Sequence, residues 1–322
     1  MIAIEPFAEI LDIGNEIDVL KKIEMVGRTC YKSTDKITDG SAEKFVEGLI
    51  KRGHEAMLEH ASFCFDIDYG VYRRMKDLIQ MLSDEFEYKS FIRFTFDERA
   101  LMSGNVRAWR DLFRHLDTYD VIPDCFKGFI DKYPILFAEW KNAIFSTENI
   151  GSIRLVHTDN LWTEYEFLTH CDVTVRFIVD RGISHEIVRH RPASFAQEST
   201  RYCNYSKDKF GSQIAFIIPS GFSYGSPEWK IWKDAMECAE AYYMGMIKAG
   251  AAPEWARTVL PNSVKTELIM TANCAEWKHF FNLRACNTTG KAHPQMLEVS
   301  RPLLDDFKKS IEGVFDDLTY GE

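Results

Sequence analysis

The hydrophobic positions of this chain change period along its length. Between Ala61 and Ile67, Phe63, Phe65 and Ile67 alternate with Ser62, Cys64 and Asp66, the two-residue period of a half-buried strand. Val173–Val179 is rich in β-branched residues and reads as a second strand, closed by Asp180-Arg181-Gly182. Elsewhere the period is helical. Trp229, Trp232, Met236, Ala239, Tyr243 and Met246 recur every three or four residues, which predicts an amphipathic helix from Pro227 to Lys248 closed by Gly250. A helix over 42–51 ends at Gly53, one capped by Asn15 runs toward Tyr31, and one opened by Pro253 reaches Leu260. Ser184 is placed to cap a short helix through Arg191, stopped by Pro192, on which His185 and Arg189 would share a side. Residues 275–284 read as helical, as does the tail 293–318, with a break at Pro302. Few strands and many helices give an α+β class: a small, mostly antiparallel sheet flanked by helices.

Composition narrows the picture modestly. With 322 residues, 46% hydrophobic and 27% charged, the chain is globular in character. No apolar run approaches the about 18 residues of a membrane span, and Met1–Pro6 lacks the basic start and apolar core of a secretory signal. The eight cysteines form no C-x-x-C pair, so zinc ribbons and thioredoxin-like motifs are not expected; free thiols in a reducing cytoplasm are. A net charge of −10 argues against broad nucleic-acid binding. The histidines at 54, 60, 185 and 190 do not follow zincin order, and no metal site is expected.

Against that acidic background, one stretch stands out. Arg189-His190-Arg191-Pro192-Ala193-Ser194-Phe195-Ala196-Gln197-Glu198-Ser199-Thr200-Arg201 gathers three arginines, a histidine and two serines. Arginine offers a planar fork of donors matched to phosphate and carboxylate and stays charged at any working pH. The stretch therefore reads as a phosphate or nucleotide site with hydroxyls close to the bound molecule.

The pattern R-H-R-x-x-S-x-x-x-x-S-x-R, met at Arg189, His190, Arg191, Ser194, Ser199 and Arg201, resembles the signature of the flavin-dependent (alternative) thymidylate synthases, the ThyX family. Gly53-His54-Glu55 through Glu59-His60 resembles the family's G-H-E-x-x-x-E-H segment. Ala256-Arg257 through Leu260-Pro261 looks like its A-R-x-x-L-P, Phe280 through Leu283-Arg284 its F-x-x-L-R, and His293-Pro294-Gln295 its H-x-Q element, here with extra residues (Asn287–Ala292) before it. The resemblance covers about 28–67 and 172–304. It implies a core of 1–67 and 171–322 interrupted by a largely helical insertion, 68–170, which is either a peripheral decoration or a contributor to folate access or subunit contacts.

The resemblance further implies reductive methylation of dUMP to dTMP with FAD, NADPH and methylenetetrahydrofolate, releasing tetrahydrofolate, in a homotetramer with FAD at subunit interfaces. Neither a nucleic-acid nor a membrane partner is implied. By position, flavin contacts fall to His60, Ser62, Arg189, His190, Arg191, Gln197, Asn273, His279 and His293. dUMP contacts fall to Glu186, Arg189, Gln197, Ser199, Arg201, Arg257 and Arg284. Arg284 and Ser199 would stand nearest the chemistry: Arg284 against an anionic uracil, Ser199 as a hydrogen-bonding residue rather than a nucleophile, since no base to activate it is evident. Glu186, Ala196 and Gln197 depart from the common glutamine, asparagine and glutamate, which puts the roles of positions 186, 197 and 198 in question. Two competing readings are a nucleotide-binding protein without flavin and an RNA-binding protein that stacks bases on aromatics near Arg189 and Arg191.

Overall fold

The computed structural model describes residues 1–82, 91–201, 203–206 and 212–321; Tyr202, next to the arginine-rich stretch, lies outside them. The chain opens with β1 (Ile2–Ile4), β2 (Phe7–Ile13), α1 (Val19–Cys30), α2 (Ser41–Lys51) and β3 (Ser62–Ile67). It continues through α3 (Tyr69–Met81), β4 (Arg93–Phe96), β5 (Ala100–Asn105), α4 (Val106–Thr118), β6 (Ile122–Pro123), α5 (Lys127–Lys132), α6 (Pro134–Phe137), β7 (Phe145–Ser146), β8 (Ile153–Val156) and α7 (Glu164–His170). The remainder is β9 (Asp172–Asp180), α8 (Arg181–Ile187), β10 (Ser194–Gln197), β11 (Ala215–Ile217), α9 (Pro227–Lys248), α10 (Pro253–Ala256), β12 (Lys265–Asn273), α11 (Cys274–Arg284) and α12 (Pro294–Ser310).

Two four-stranded antiparallel sheets carry the fold, in the orders β10-β12-β9-β2 and β4-β5-β3-β8; the pairs β1-β11 and β6-β7 are parallel. The class is α+β, and helices do flank small antiparallel sheets. Segment 68–170 is rich in helix and also supplies β4, β5 and β8, so it completes the second sheet around β3. Phe63 and Phe65 of β3 pack edge-on to Phe129, and Trp109, Phe113, Phe126, Phe137 and Trp140 extend an aromatic core behind that sheet. The first sheet packs Val173, Val175, Phe177, Leu268 and Met270 against α11 and α12, where Trp277, Phe280, Phe281 and Phe307 form a second core.

Several local expectations shift. Asn15 does not cap α1: it sits at φ 61° and turns its amide to Ser62 and Lys22, while Asp18 accepts the N–H groups of Leu20 and Lys21. Asp180, not Ser184, caps α8, because its carboxylate reaches the Ile183 N–H at 2.7 Å. That helix closes at Ile187, so His185 and Arg189 do not share a helix face. α12 runs unbroken through Pro302 to Ser310. Burial of Met296, Val299, Leu303, Leu304 and Phe307 along one face offsets the helix bond that proline cannot make. Among the described residues, no helix is long and apolar enough to cross a membrane.

Candidate functional site

The arginine-rich stretch lies at one edge of the first sheet. β10 pairs with β12, Ser194 facing Thr271 and Gln197 facing Leu268, so the stretch leaves the sheet where β12 begins. Beyond β10, the chain is held at three points. The Glu198 N–H donates to the Glu267 carbonyl (2.8 Å), the Ser199 N–H to the Cys30 carbonyl at the end of α1 (3.1 Å), and the Arg201 N–H to the Ser199 hydroxyl (3.3 Å). Glu198 is buried; it accepts from Lys265 Nζ at 2.8 Å and Tyr205 Oη at 3.3 Å, with Lys32 Nζ at 3.6 Å. Burial pushes its carboxyl up, but Lys265 and Lys32 outweigh burial and hold it below the usual range. Glu198 therefore anchors the loop as a carboxylate.

Three sequence-distant segments meet here. Arg284, at the end of α11, donates from Nε to His190 Nε2 (3.0 Å) and from Nη1 to Glu186 Oε2 (2.9 Å). Burial first, then the charges of Arg284 and His279, push His190 down to about 4, so it accepts the arginine's hydrogen bond as a neutral ring. Arg257 Nη1 reaches Thr200 Oγ1 at 3.4 Å, and Arg201 Nε meets Glu254 at 3.2 Å, placing the Pro253–Val259 turns beside the stretch. Gln197 donates to Ser184 Oγ (2.9 Å) and Thr266 Oγ1 (3.1 Å), which leaves its carbonyl oxygen outside those two bonds.

The remaining expected residues divide by burial. His60 and Ser62 are buried between the two sheets. His60 Nδ1 is bonded to Thr271 Oγ1 at 2.8 Å while Nε2 is buried without a partner, and Ser62 Oγ accepts from Asn15 at 2.8 Å. Burial, then the charge of Lys22, push His60 down to about 3. Asn273 caps α11 through the Glu276 N–H (2.9 Å) and donates to the Thr169 carbonyl (3.2 Å). His293 caps α12 and is exposed. Arg189, Arg191, Arg257 and His279 are exposed. Among the described residues Arg189, Arg191 and Arg257 form no ion pair, so one copy of the chain presents a cationic surface with no carboxylate of its own on these three.

Some participants were not visible in the sequence. Thr266, Lys265 and Thr271 all lie on β12, a strand the hydrophobic pattern did not reveal. Its near-continuous buried run Leu268–Ala272 could have been found as a strand buried on both faces. Arg93 of β4 reaches Asp172 of β9 with both terminal nitrogens, at 2.7 and 2.8 Å, tying the two sheets together beneath the site. A cavity of about 490 Å³ opens beside the stretch between Phe91, Val188, Arg191, Pro192, Ala193 and Phe195.

The family model described as "Thymidylate synthase complementing protein" matches residues 15–81 and 149–311. A flavin-dependent thymidylate synthase of Geobacter sulfurreducens is 38% identical over 109 residues, 34% of this chain and 45% of that protein. The Pyrococcus furiosus protein of the same description is 35% identical over 129 residues, 40% and 51% of the two chains. The chain spans about half the length of the curated relatives it matches. A solved structure described as the UMP/dUMP methylase PolB from Streptomyces cacaoi bound with 5-Br dUMP aligns over 96% of this chain and 93% of its own. Its 14% identity and TM-score of 0.41 make the likeness too distant to bear on the fold.

Proposed function

Because the chain belongs to the thymidylate synthase complementing protein family, we propose that it is a flavin-dependent thymidylate synthase. It methylates dUMP reductively to dTMP with methylenetetrahydrofolate as carbon donor and NADPH as reductant, and releases tetrahydrofolate. The observation that carries this reading is the convergence of three segments: Arg284 on His190 and Glu186, and Arg257 on Thr200, which set the exposed Arg201 beside them. A nucleotide with one phosphate and an acidic ring needs such a pair of cationic ends.

Arg201 and Arg257 clamp the phosphate. Arg284 places its guanidinium against the uracil, where negative charge at the ring is stabilised and C5 becomes more nucleophilic. Neutral His190 fixes the plane of Arg284, and Glu186 limits its net charge. Ser199, whose amide is fixed by Cys30, offers its hydroxyl to dUMP as a hydrogen-bonding group; among the described residues no base engages it as a nucleophile would require. Gln197 keeps an acceptor oxygen outside its bonds to Ser184 and Thr266.

The residues present also fit FAD. Arg189 and Arg191 are exposed cations without carboxylate partners among the described residues, suited to a pyrophosphate. Arg191 shares an apolar cavity with Phe91 and Phe195, and His60 keeps a buried ring nitrogen without a partner. When bound, the flavin supplies the hydride and carbon-transfer chemistry, and the protein supplies placement and electrostatics. Exposed Arg189, Arg191 and His279 gain a full site at the interfaces of a homotetramer. The dUMP-binding residues named above all lie within 1–67 and 171–322, with 68–170 inserted between them.

Absorbance of the purified protein tests the proposal. A flavin band that bleaches with NADPH under anaerobic conditions, at a rate altered by dUMP, is the expected result. A protein that neither carries nor takes up FAD overturns the proposal and leaves a nucleotide-binding protein.

A further inference from the structure

A narrow cleft runs between the segment 82–148, which the family model leaves unmatched, and the first sheet. Phe91, Arg93 and Asn105 line it from that segment; Ser194, Thr271 and Asn273 line it from the sheet side. The sheet-side groups are already engaged. Ser194 Oγ donates to Glu59 (3.0 Å), Thr271 Oγ1 is bonded to His60 and Thr174, and Asn273 uses its side chain on Glu276 and Thr169.

The opposite wall differs. Arg93 spends its two terminal nitrogens on Asp172, and its Nε is buried without a partner. Asn105 spends Oδ1 capping α4 through the Ala108 N–H (2.8 Å), and its Nδ2 is buried without a partner. Two donors of residues that line one wall therefore have no acceptor among the described residues. An unmade buried hydrogen bond is costly, so such a pair persists where something else supplies the acceptors. The cleft adjoins the 490 Å³ cavity, since Phe91 and Pro192 line both. A ligand that bridges the two would place its body in the apolar cavity and its edge in the cleft, in a slot bounded by Phe91 and Pro192.

We propose that Arg93 and Asn105 are binding residues for a planar heterocycle: its acceptor edge, a carbonyl oxygen with a ring nitrogen, meets Arg93 Nε and Asn105 Nδ2, and its ring body occupies the slot bounded by Phe91 and Pro192. Flavin and pterin rings share that edge. The inference rests on the function proposed above, because both rings enter there, and it assigns substrate-side work to a segment outside the family match.

Two conservative variants test it. Asn105→Asp keeps the oxygen that caps α4 and turns the unpartnered donor into an acceptor. Arg93→Lys keeps a positive charge against Asp172 and loses Nε. Flavin-free wild type and variants are titrated with FAD, followed by flavin fluorescence, and separately with tetrahydrofolate, followed by tryptophan fluorescence. Thermal midpoints and dUMP affinity are measured alongside.

The expected result is binding of one of the two heterocycles weakened about ten-fold, with dUMP affinity unchanged. Weakening on FAD assigns the slot to the flavin ring; weakening on tetrahydrofolate alone assigns it to the pterin. Unchanged affinity for both in folded variants overturns the inference. A wild type that binds no FAD overturns the function proposed above, and the tetrahydrofolate titration then decides this inference by itself. Should Arg93→Lys fail to fold, Asn105→Asp carries the test.

Discussion

The two sheets both pair charges inward, as Lys22 with Asp12 and Lys265 with Glu198 show for the first, but they differ in the cations left over. Around the second sheet, charge is spent inward. Arg93 closes on Asp172, Arg99 on Glu166 at 2.8 Å, and buried Arg110 on the Leu136 carbonyl and Glu139. Around the first sheet, Arg189, Arg191 and Arg257 stand exposed with no carboxylate partner among the described residues. Paired charges hold a shape, whereas unpaired charges of one sign can receive an anion. Stability and chemistry are therefore separable by region, and substitutions can pull them apart.

The sharpest break comes at Arg284. Replacing it with alanine should lower turnover by about 10²–10³-fold while the urea midpoint barely moves, because the residue is only half-buried. A steady-state assay beside a denaturation curve reads both. If turnover survives, the chemistry does not run through this residue. Trp109→Ala is the mirror experiment: removal of this fully buried ring should cost about 3–5 kcal/mol in chemical denaturation and leave dUMP affinity intact in the protein that remains folded.

Arg201→Ala and Arg257→Ala should each raise the KM for dUMP by about 10- to 100-fold, the loss of one charge-assisted contact, with little effect on NADPH-dependent flavin reduction in the absence of dUMP. Equal effects with and without dUMP would place these arginines elsewhere than at the phosphate.

Acid separates the regions more gently. Burial, with nearby cations, pushes His60 and His170 down to about 3 and His190 to about 4, from an ordinary 6.5. All three are neutral when folded, and below pH 6.5 the unfolded chain binds the extra protons. Their contribution is therefore complete above pH 6.5 and is lost as pH falls toward 3–4, by about 1 kcal/mol or more per histidine between pH 7 and 5. His60 bonds Thr271 of the first sheet, and His170 ties α7 to the second through Ser103 (2.7 Å) and Thr95 (2.9 Å). His170→Gln should flatten the pH dependence of the urea midpoint; an unaltered slope would remove His170 from the acid response. The smallest effect is expected at Glu186→Gln, which frees Arg284 of its carboxylate and should tighten dUMP binding by a few-fold in a calorimetric titration.

The sequence displayed the site's cations better than the scaffold beneath them. The spacing of Arg189, His190, Arg191, Ser194, Ser199 and Arg201 is local and legible, and the periods of α9, β3 and β9 were clear. β12 was not, since Leu268–Ala272 is buried without alternation and is flanked by Lys265 and Glu267, which resemble loop residues. Pairings such as Arg93 with Asp172 join positions 79 residues apart and leave no trace in local spacing. Pro302 misled for a related reason: packing along α12 decided what propensity alone could not.

One arrangement bears on the birth of the molecule. β1 pairs with β11, β2 pairs with β9, and the last turn of α1 receives the amide of Ser199. The first thirty residues thus leave the ribosome with their strand partners still unmade. At ~5–20 residues per second, the ~170 residues that separate Cys30 from Ser199 take on the order of ten to thirty seconds to synthesise. Throughout that interval the apolar face of β2 waits for β9, while α1 has only α2 and the 55–60 turn to pack on. A nascent chain that waits this long is exposed to aggregation, and mutations that make β2 stickier would reduce yield without touching the folded state.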